Sequence, residues 1–187
     1  DLLIFSSKYY DVNKIQNWWA SQSEISKTQI YKQLTLDSNI KANGKKTSIQ
    51  YNFLCEVPKN KSNIDNFKMV QGNETKSPKD NEVWINTGFA NLNKLKLGNT
   101  LSIDGKNYKI SGIIVDTQFS SLMMGMERFW VKPGELKNYP YYKTNPTYSL
   151  SIRYKNPSSS DKLWNKFGKY LNAPLIGSSI KYNAVYN

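Results

Sequence analysis

Histidine is absent from the 187 residues, and Cys55 is the single cysteine. Together these exclude an intrachain disulfide, a CxxC redox pair, Cys/His zinc ligation and a Cys–His nucleophile. Arginine is scarce, with only Arg128 and Arg153. Long apolar runs are missing too, so neither a signal peptide nor a membrane-crossing helix is legible within the chain. The first residue is Asp1 rather than Met, and Leu2–Phe5 are apolar, which reads either as a first core strand or as the stub of a trimmed membrane helix. No Gly-rich phosphate loop or metal-loop spacing occurs.

What is abundant is lysine. Lys and Arg number 26 against 14 acids, a formal charge of +12. No run of five or more basic residues is present, so the charge reads as diffuse and solvated rather than as a dedicated anion site. Nucleic-acid recognition would call for Arg forks and aromatics interleaved with a basic stripe. Here the aromatics fall at core-like periodic positions, and no nucleic-acid partner is expected.

The pattern alternates between helix and strand signals. Asp11 is placed to cap a helix whose Val12, Ile15, Trp18 and Trp19 share a face. Strand alternation follows through Ile30, Leu34 and Leu36, then an Asn43-Gly44 hairpin turn, then a run from Thr47 to Val57 that buries Cys55 and ends at Pro58. Lys59 to Asn81 reads as the passage into a second lobe, a polar connector and then, within 67–81, a short strand and a turn-rich stretch. Next come the strand 82–86, a short helix with Thr87 as cap and Phe89 and Leu92 inward, Gly98 in a left-handed position, and a second hairpin at Asp104-Gly105, with Leu101 and Ile103 matched to Tyr108 and Ile110. Residues 131–146 read as Pro- and Tyr-rich loop. A strand, a helix with the stripe Leu163, Trp164, Phe167, Tyr170 and Leu171, and a last strand at Ser178–Tyr186 close the chain. The expected fold class is α+β in two lobes: 1–70 with 131–187 as a discontinuous α+β lobe, and 71–130 as an inserted β-rich lobe.

Catalytic patterns are weak. Ser159–Lys162 and Ser178–Lys181 have Ser-x-x-Lys spacing but lack the accompanying motifs of penicillin-binding enzymes, and read as helix cap and strand entry. Asp80 with Glu82, and Asp116 with Glu127, could serve as carboxylate pairs, but read as solvated surface groups. The segment singled out for partner binding is Leu122, Met123, Met124, Met126, Phe129 and Trp130: flexible, adaptable Met side chains next to aromatics suit either core packing or an apolar docking loop. The reading favoured for this segment is docking, with the Met side chains at least partly exposed.

One block carries a family resemblance. Asn81-Glu82-Val83, Leu95-Lys96-Leu97-Gly98-Asn99 and Ile110-Ser111-Gly112-Ile113, preceded by Gly72, resemble the extracytoplasmic (MacB-like periplasmic core) domain of FtsX/MacB-like ABC transporter permeases. Asn99 stands where that family more often has Asp, and Phe89-Ala90 match its helix loosely. The resemblance implies a porter-like lobe from the chain ends and a sabre-like insert. It implies a non-catalytic domain on the extracytoplasmic side of a cell membrane, with no cofactor of its own. Its partners would be a cytoplasmic ABC ATPase reached through the membrane part, a second permease copy and an accessory extracellular protein. Lysine and asparagine richness without disulfides suits a Gram-positive surface. Two alternatives stand beside it: a regulator of a cell-wall hydrolase or a peptide-antibiotic sensing and resistance domain, and a free-standing secreted basic binding module.

Overall fold

The computed structural model describes residues 1–36, 39–47, 51–60, 64, 67–116 and 126–171. The strands are β1 (Leu2–Ser6), β2 (Ile25–Leu36), β3 (Ile40–Ala42), β4 (Lys45–Lys46), β5 (Tyr51–Glu56), β6 (Lys68–Gly72), β7 (Glu82–Asn86), β8 (Thr100–Ile103), β9 (Lys106–Val115), β10 (Met126–Val131) and β11 (Thr147–Tyr154). The helices are α1 (Val12–Ala20), α2 (Thr87–Leu92), α3 (Pro140–Thr144) and α4 (Ser160–Leu171). The last strand expected at 178–186 lies outside the described residues.

All the strands join one mixed sheet in the order β1-β11-β2-β5-β10-β7-β9-β8-β3-β4, with β6 alongside β9. The β5–β10 and β7–β9 pairs are parallel, and the other pairings are antiparallel. The sheet shows no break at the expected lobe boundary. β3, from the terminal part, pairs with β8 of the middle part, and β10 lies along β5 over six residues.

One face of the sheet carries two cores. The helices α1 and α4 lay Ile15, Trp19, Leu163, Trp164 and Phe167 on Leu3, Phe5, Ile25, Leu150 and Ile152. Further along that face, α2 and the 136–139 turn cover Leu54, Val83, Ile85, Leu101, Ile110 and Phe129. The opposite face holds Tyr31, Phe53, Cys55, Trp84, Met126 and Trp130. Strand alternation sends neighbouring residues to opposite faces, which is why Leu54 and Cys55 belong to different cores.

The aromatic residues of α1 and α4 interlock. Trp19 packs against Trp164 and Phe167 at centroid distances of 4.8 and 5.1 Å. Asp11 caps α1 as expected, accepting from Lys14 N–H at 2.9 Å. Asp1 ties β1 to α4: its carboxylate accepts from Ser160 Oγ, Trp164 Nε1 and Tyr154 Oη.

Several local expectations need correction. Thr87 is the first residue of α2, and Asn86 occupies the cap position without a side-chain cap bond. Leu92 points outward, 53% exposed, because α2 is too short to bring its last turn over the sheet. Ile103 lies opposite Lys106, not Ile110, because a two-residue turn fixes the register from Asp104-Gly105 outward. Tyr170 is half exposed and stacks on Trp18. The 131–146 stretch contains a 3₁₀ turn at Leu136–Asn138 and the short helix α3.

Candidate functional site

Leu122, Met123 and Met124 lie outside the described residues. Met126, Phe129 and Trp130 are core residues of β10, buried to 6%, 0% and 0% exposure. The expected exposure of Met126 and the docking role of these three do not hold. β10 runs between β5 and β7 with both faces covered, so its side chains meet the protein interior on either side.

The chain on either side of residues 117–125 is clamped by a buried ion pair. Arg128 donates from Nε to Asp116 Oδ2 at 2.8 Å and from Nη2 to Asp116 Oδ1 at 2.6 Å. Trp130 Nε1 donates to the same Oδ2 at 3.1 Å. The guanidinium also lies over the rings of Trp130 and Tyr31, at 4.7 and 5.7 Å from their centroids. Both charged side chains are essentially solvent-free. A fork-shaped guanidinium suits this geometry, since it satisfies both carboxylate oxygens and stacks on aromatic faces at once.

Beside this pair, Glu127 is buried at 1% exposure. Its carboxyl is pushed well up from the usual glutamate range, first by loss of solvent and then by the Asp116 charge; the Asn86 N–H and Arg128 oppose the shift. The expectation that Asp116 and Glu127 are solvated surface carboxylates is therefore overturned. Acids beside a polar, Ser-containing stretch look exposed in a sequence, and only the pairing of β10 in mid-sheet puts them inside. Glu127→Gln keeps size and hydrogen bonding, so the group is open to a direct test.

A second polar cluster joins the 133–145 segment to the β8–β9 hairpin. Tyr108 Oη donates to Glu135 Oε1 at 2.9 Å and lies 2.7 Å from Tyr139 Oη. Lys106 pairs with Glu135, and Tyr141 donates to Asp104 at the hairpin turn. Burial pushes both the Tyr108 and Tyr139 phenols above their ordinary range.

The motif residues converge within the sheet. Gly98 N–H donates to Ile110 O at 2.8 Å, and Ile110 N–H donates to Asn99 O at 2.9 Å. The Leu-Gly-Asn step is thereby stitched to the Ile-Ser-Gly-Ile strand. Gly98 has φ +84°, the left-handed value its position suggested. Gly112 faces Trp84, and a Cβ there would lie 2.6 Å from Trp84 Cδ1 and 2.9 Å from Met69 Sδ. Leu95, Ile110 and Ile113 are buried, whereas Leu97 is exposed. The motif builds a frame.

Of the remaining catalytic patterns, Ser178–Lys181 lies outside the described residues, and the others do not assemble. Lys162 Nζ lies 3.7 Å from Glu24 Oε1, and Ser159 sits in the 3₁₀ turn before α4. The exposed Asp80 pairs with Lys132. Among the described residues, no three His, Cys, Asp or Glu side chains gather as a metal site. Among those residues, no helix is long and apolar enough to cross a membrane.

No protein-family model matches the chain, and no curated protein matches it. Solved structures do resemble it in fold. The periplasmic region of MacB from Actinobacillus actinomycetemcomitans aligns at 13% identity and TM-score 0.46, covering 91% of this chain and 83% of that one. The extracellular domain of the noncanonic ABC-type transporter YknZ from Gram-positive bacteria aligns at 10% identity and TM-score 0.49, covering 92% of this chain and 96% of that one.

Proposed function

We propose that this chain is a non-catalytic extracytoplasmic domain of an ABC transporter permease of the FtsX/MacB type. The observation that carries this reading is the motif in its structural setting. Residues 81–83, 95–99 and 110–113, which resemble that family, are joined to one another by backbone hydrogen bonds and glycine contacts rather than scattered. A motif that specifies a frame suits a domain that transmits force or contact and leaves ATP hydrolysis to a separate cytoplasmic subunit. In this reading the terminal elements form the porter-like part and the β7–β9 region the sabre-like part. Leu122, Met123 and Met124 remain the proposed contact with a second permease copy or an accessory protein.

The test uses the full-length protein in its own cells. Cys55 is buried, so within these 187 residues a Glu74→Cys variant adds an exposed thiol, and the parent protein serves as the labelling control. A membrane-impermeant thiol reagent should label it on intact cells, and an ABC ATPase should co-purify with the solubilised protein. Labelling only after cell lysis would reject the extracytoplasmic placement. Labelling without any co-purifying ATPase would favour the secreted binding module.

A further inference from the structure

The far edge of the sheet from β1 is formed by β4, β3 and β8. This edge gathers lysines from two separate stretches of the chain. No acidic residue occurs from Asn39 to Thr47 or from Thr87 to Ile103, yet these stretches hold Lys41, Lys45, Lys46, Lys94 and Lys96, all exposed. Elsewhere, Lys106 pairs with Glu135, Lys132 with Asp80 and Lys162 with Glu24. Lys109 stands opposite Glu82 on the neighbouring strand. None of the five edge lysines makes an ion pair with a described residue.

The edge is also built so that its charges stay together. Lys41 and Lys46 are direct cross-strand partners and share a face. Like charges in that position repel and weaken a strand pair, so local stability alone would disfavour the arrangement. The 94–99 turn is fastened to the hairpin tip by two asparagines. Asn43 N–H donates to Thr100 O at 3.0 Å, and Thr100 N–H donates to Asn43 Oδ1 at 3.3 Å. Asn99 Oδ1 accepts from Asn43 Nδ2 at 3.3 Å and from Lys96 N–H at 2.9 Å. An aspartate at 99 could accept the same two bonds but would put a negative charge among the lysines. Asparagine keeps the geometry and adds no acid to the described edge beyond Asp104, which follows β8 and accepts from Tyr141.

We propose that this lysine edge is a binding surface for a linear, phosphate-bearing polyanion of the cell envelope. Exposed lysines on a hairpin act as flexible point charges, suited to a repeating phosphate chain rather than to one oriented group. The lysine-bearing stretches 39–47 and 87–103 hold no arginine and no exposed aromatic ring, the features that read nucleobases. The proposal rests on the extracytoplasmic reading only for where the polyanion is met. β1 and α4 share a core at the opposite end of the sheet, so a domain held near its terminal elements presents the lysine edge outward.

The binding itself can be tested on the 187-residue chain in solution, independently of the permease assignment. The probe is long-chain inorganic polyphosphate, titrated at several salt concentrations around 0.15 M, where screening acts over about 8 Å. The parent should bind. The Lys41→Gln/Lys45→Gln/Lys46→Gln variant should bind about ten-fold or more weakly, with the log–log salt slope shallower by about two to three. Asn99→Asp should weaken binding about two- to five-fold without lowering the melting temperature, since its acceptor bonds survive. A control that removes the same charge elsewhere, Lys68→Gln/Lys76→Gln/Lys79→Gln, should bind as the parent does. Equal loss in both triple variants would overturn the proposal, because net charge alone would then explain the attraction. Absence of parent binding would overturn it as well. Binding to phosphatidylglycerol vesicles without binding to polyphosphate would also overturn it, in favour of a lipid surface.

Discussion

Arg128 grips Asp116 with two hydrogen bonds of 2.8 and 2.6 Å in the solvent-free interior, across the ends of the chain that lead into and out of residues 117–125. The pair does not stabilise merely by being ionic. Removing two charges from water costs several kcal/mol, and the forked geometry together with Trp130 Nε1 and two aromatic faces offsets that cost. Its role is to hold β10 in register at the point where the chain returns to the sheet.

Removing one partner should therefore be far worse than removing both. Arg128→Met leaves Asp116 charged and buried, and is expected to destabilise the chain by about 3–5 kcal/mol. Arg128→Met combined with Asp116→Leu should recover much of that loss. Urea unfolding of the two single variants and the double variant measures this. Additive losses would show that the two side chains act independently.

Glu127 makes stability depend on pH in a defined direction. Its folded-state pKa is raised, by burial first and by Asp116 second. The folded state then holds the proton more tightly than the unfolded state, so stability falls as pH rises from the ordinary glutamate range toward the folded value. Glu127→Gln should flatten this decline and be relatively more stable than the parent at neutral pH. Parallel stability–pH curves for the two proteins would remove Glu127 as the cause.

Two glycines should fail for different reasons. Gly105 has φ +83° and open space around it, so Gly105→Ala should cost only the left-handed backbone penalty, about 1 kcal/mol. Gly112 has no positive φ but faces Trp84, so Gly112→Ala should cost about 1–3 kcal/mol by overpacking. Pairing Gly112→Ala with a smaller residue at Met69 should relieve part of the second loss and none of the first. Melting curves of these variants separate the two mechanisms.

The tyrosine cluster should control behaviour in alkali. Tyr108 and Tyr139 both have raised phenol pKa values in the folded state. Stability is then lost as pH climbs above the ordinary tyrosine value of about 10, where the unfolded chain ionises first. Tyr108→Phe should lower stability at neutral pH by about 1 kcal/mol through the lost bond to Glu135, yet lessen the alkaline decline. An absorbance titration of phenolate should count one late-ionising group fewer.

Residues that act on their nearest neighbours in the chain were legible from the sequence. Asn43-Gly44 and Asp104-Gly105 take the positive φ of their turns, Asp11 caps α1, Gly98 is left-handed, and Leu163, Trp164 and Phe167 face inward, because each depends on a turn or a helical repeat a few residues long. The sequence likewise placed Cys55 in the interior through alternation alone. Tertiary structure decided what depends on neighbours distant in sequence. β10 lies between β5 and β7, and that pairing, not the residue types, turned Met126, Phe129 and Trp130 from a docking loop into core and drew Asp116 and Glu127 inside. The same holds for the lysine edge. Lys41 and Lys96 are far apart in the chain, and only the pairing of β3 with β8 and the bond from Asn43 to Asn99 gather their charges at one end of the sheet. Periodicity reports which face a side chain takes; it carries no record of which strand will lie beside it.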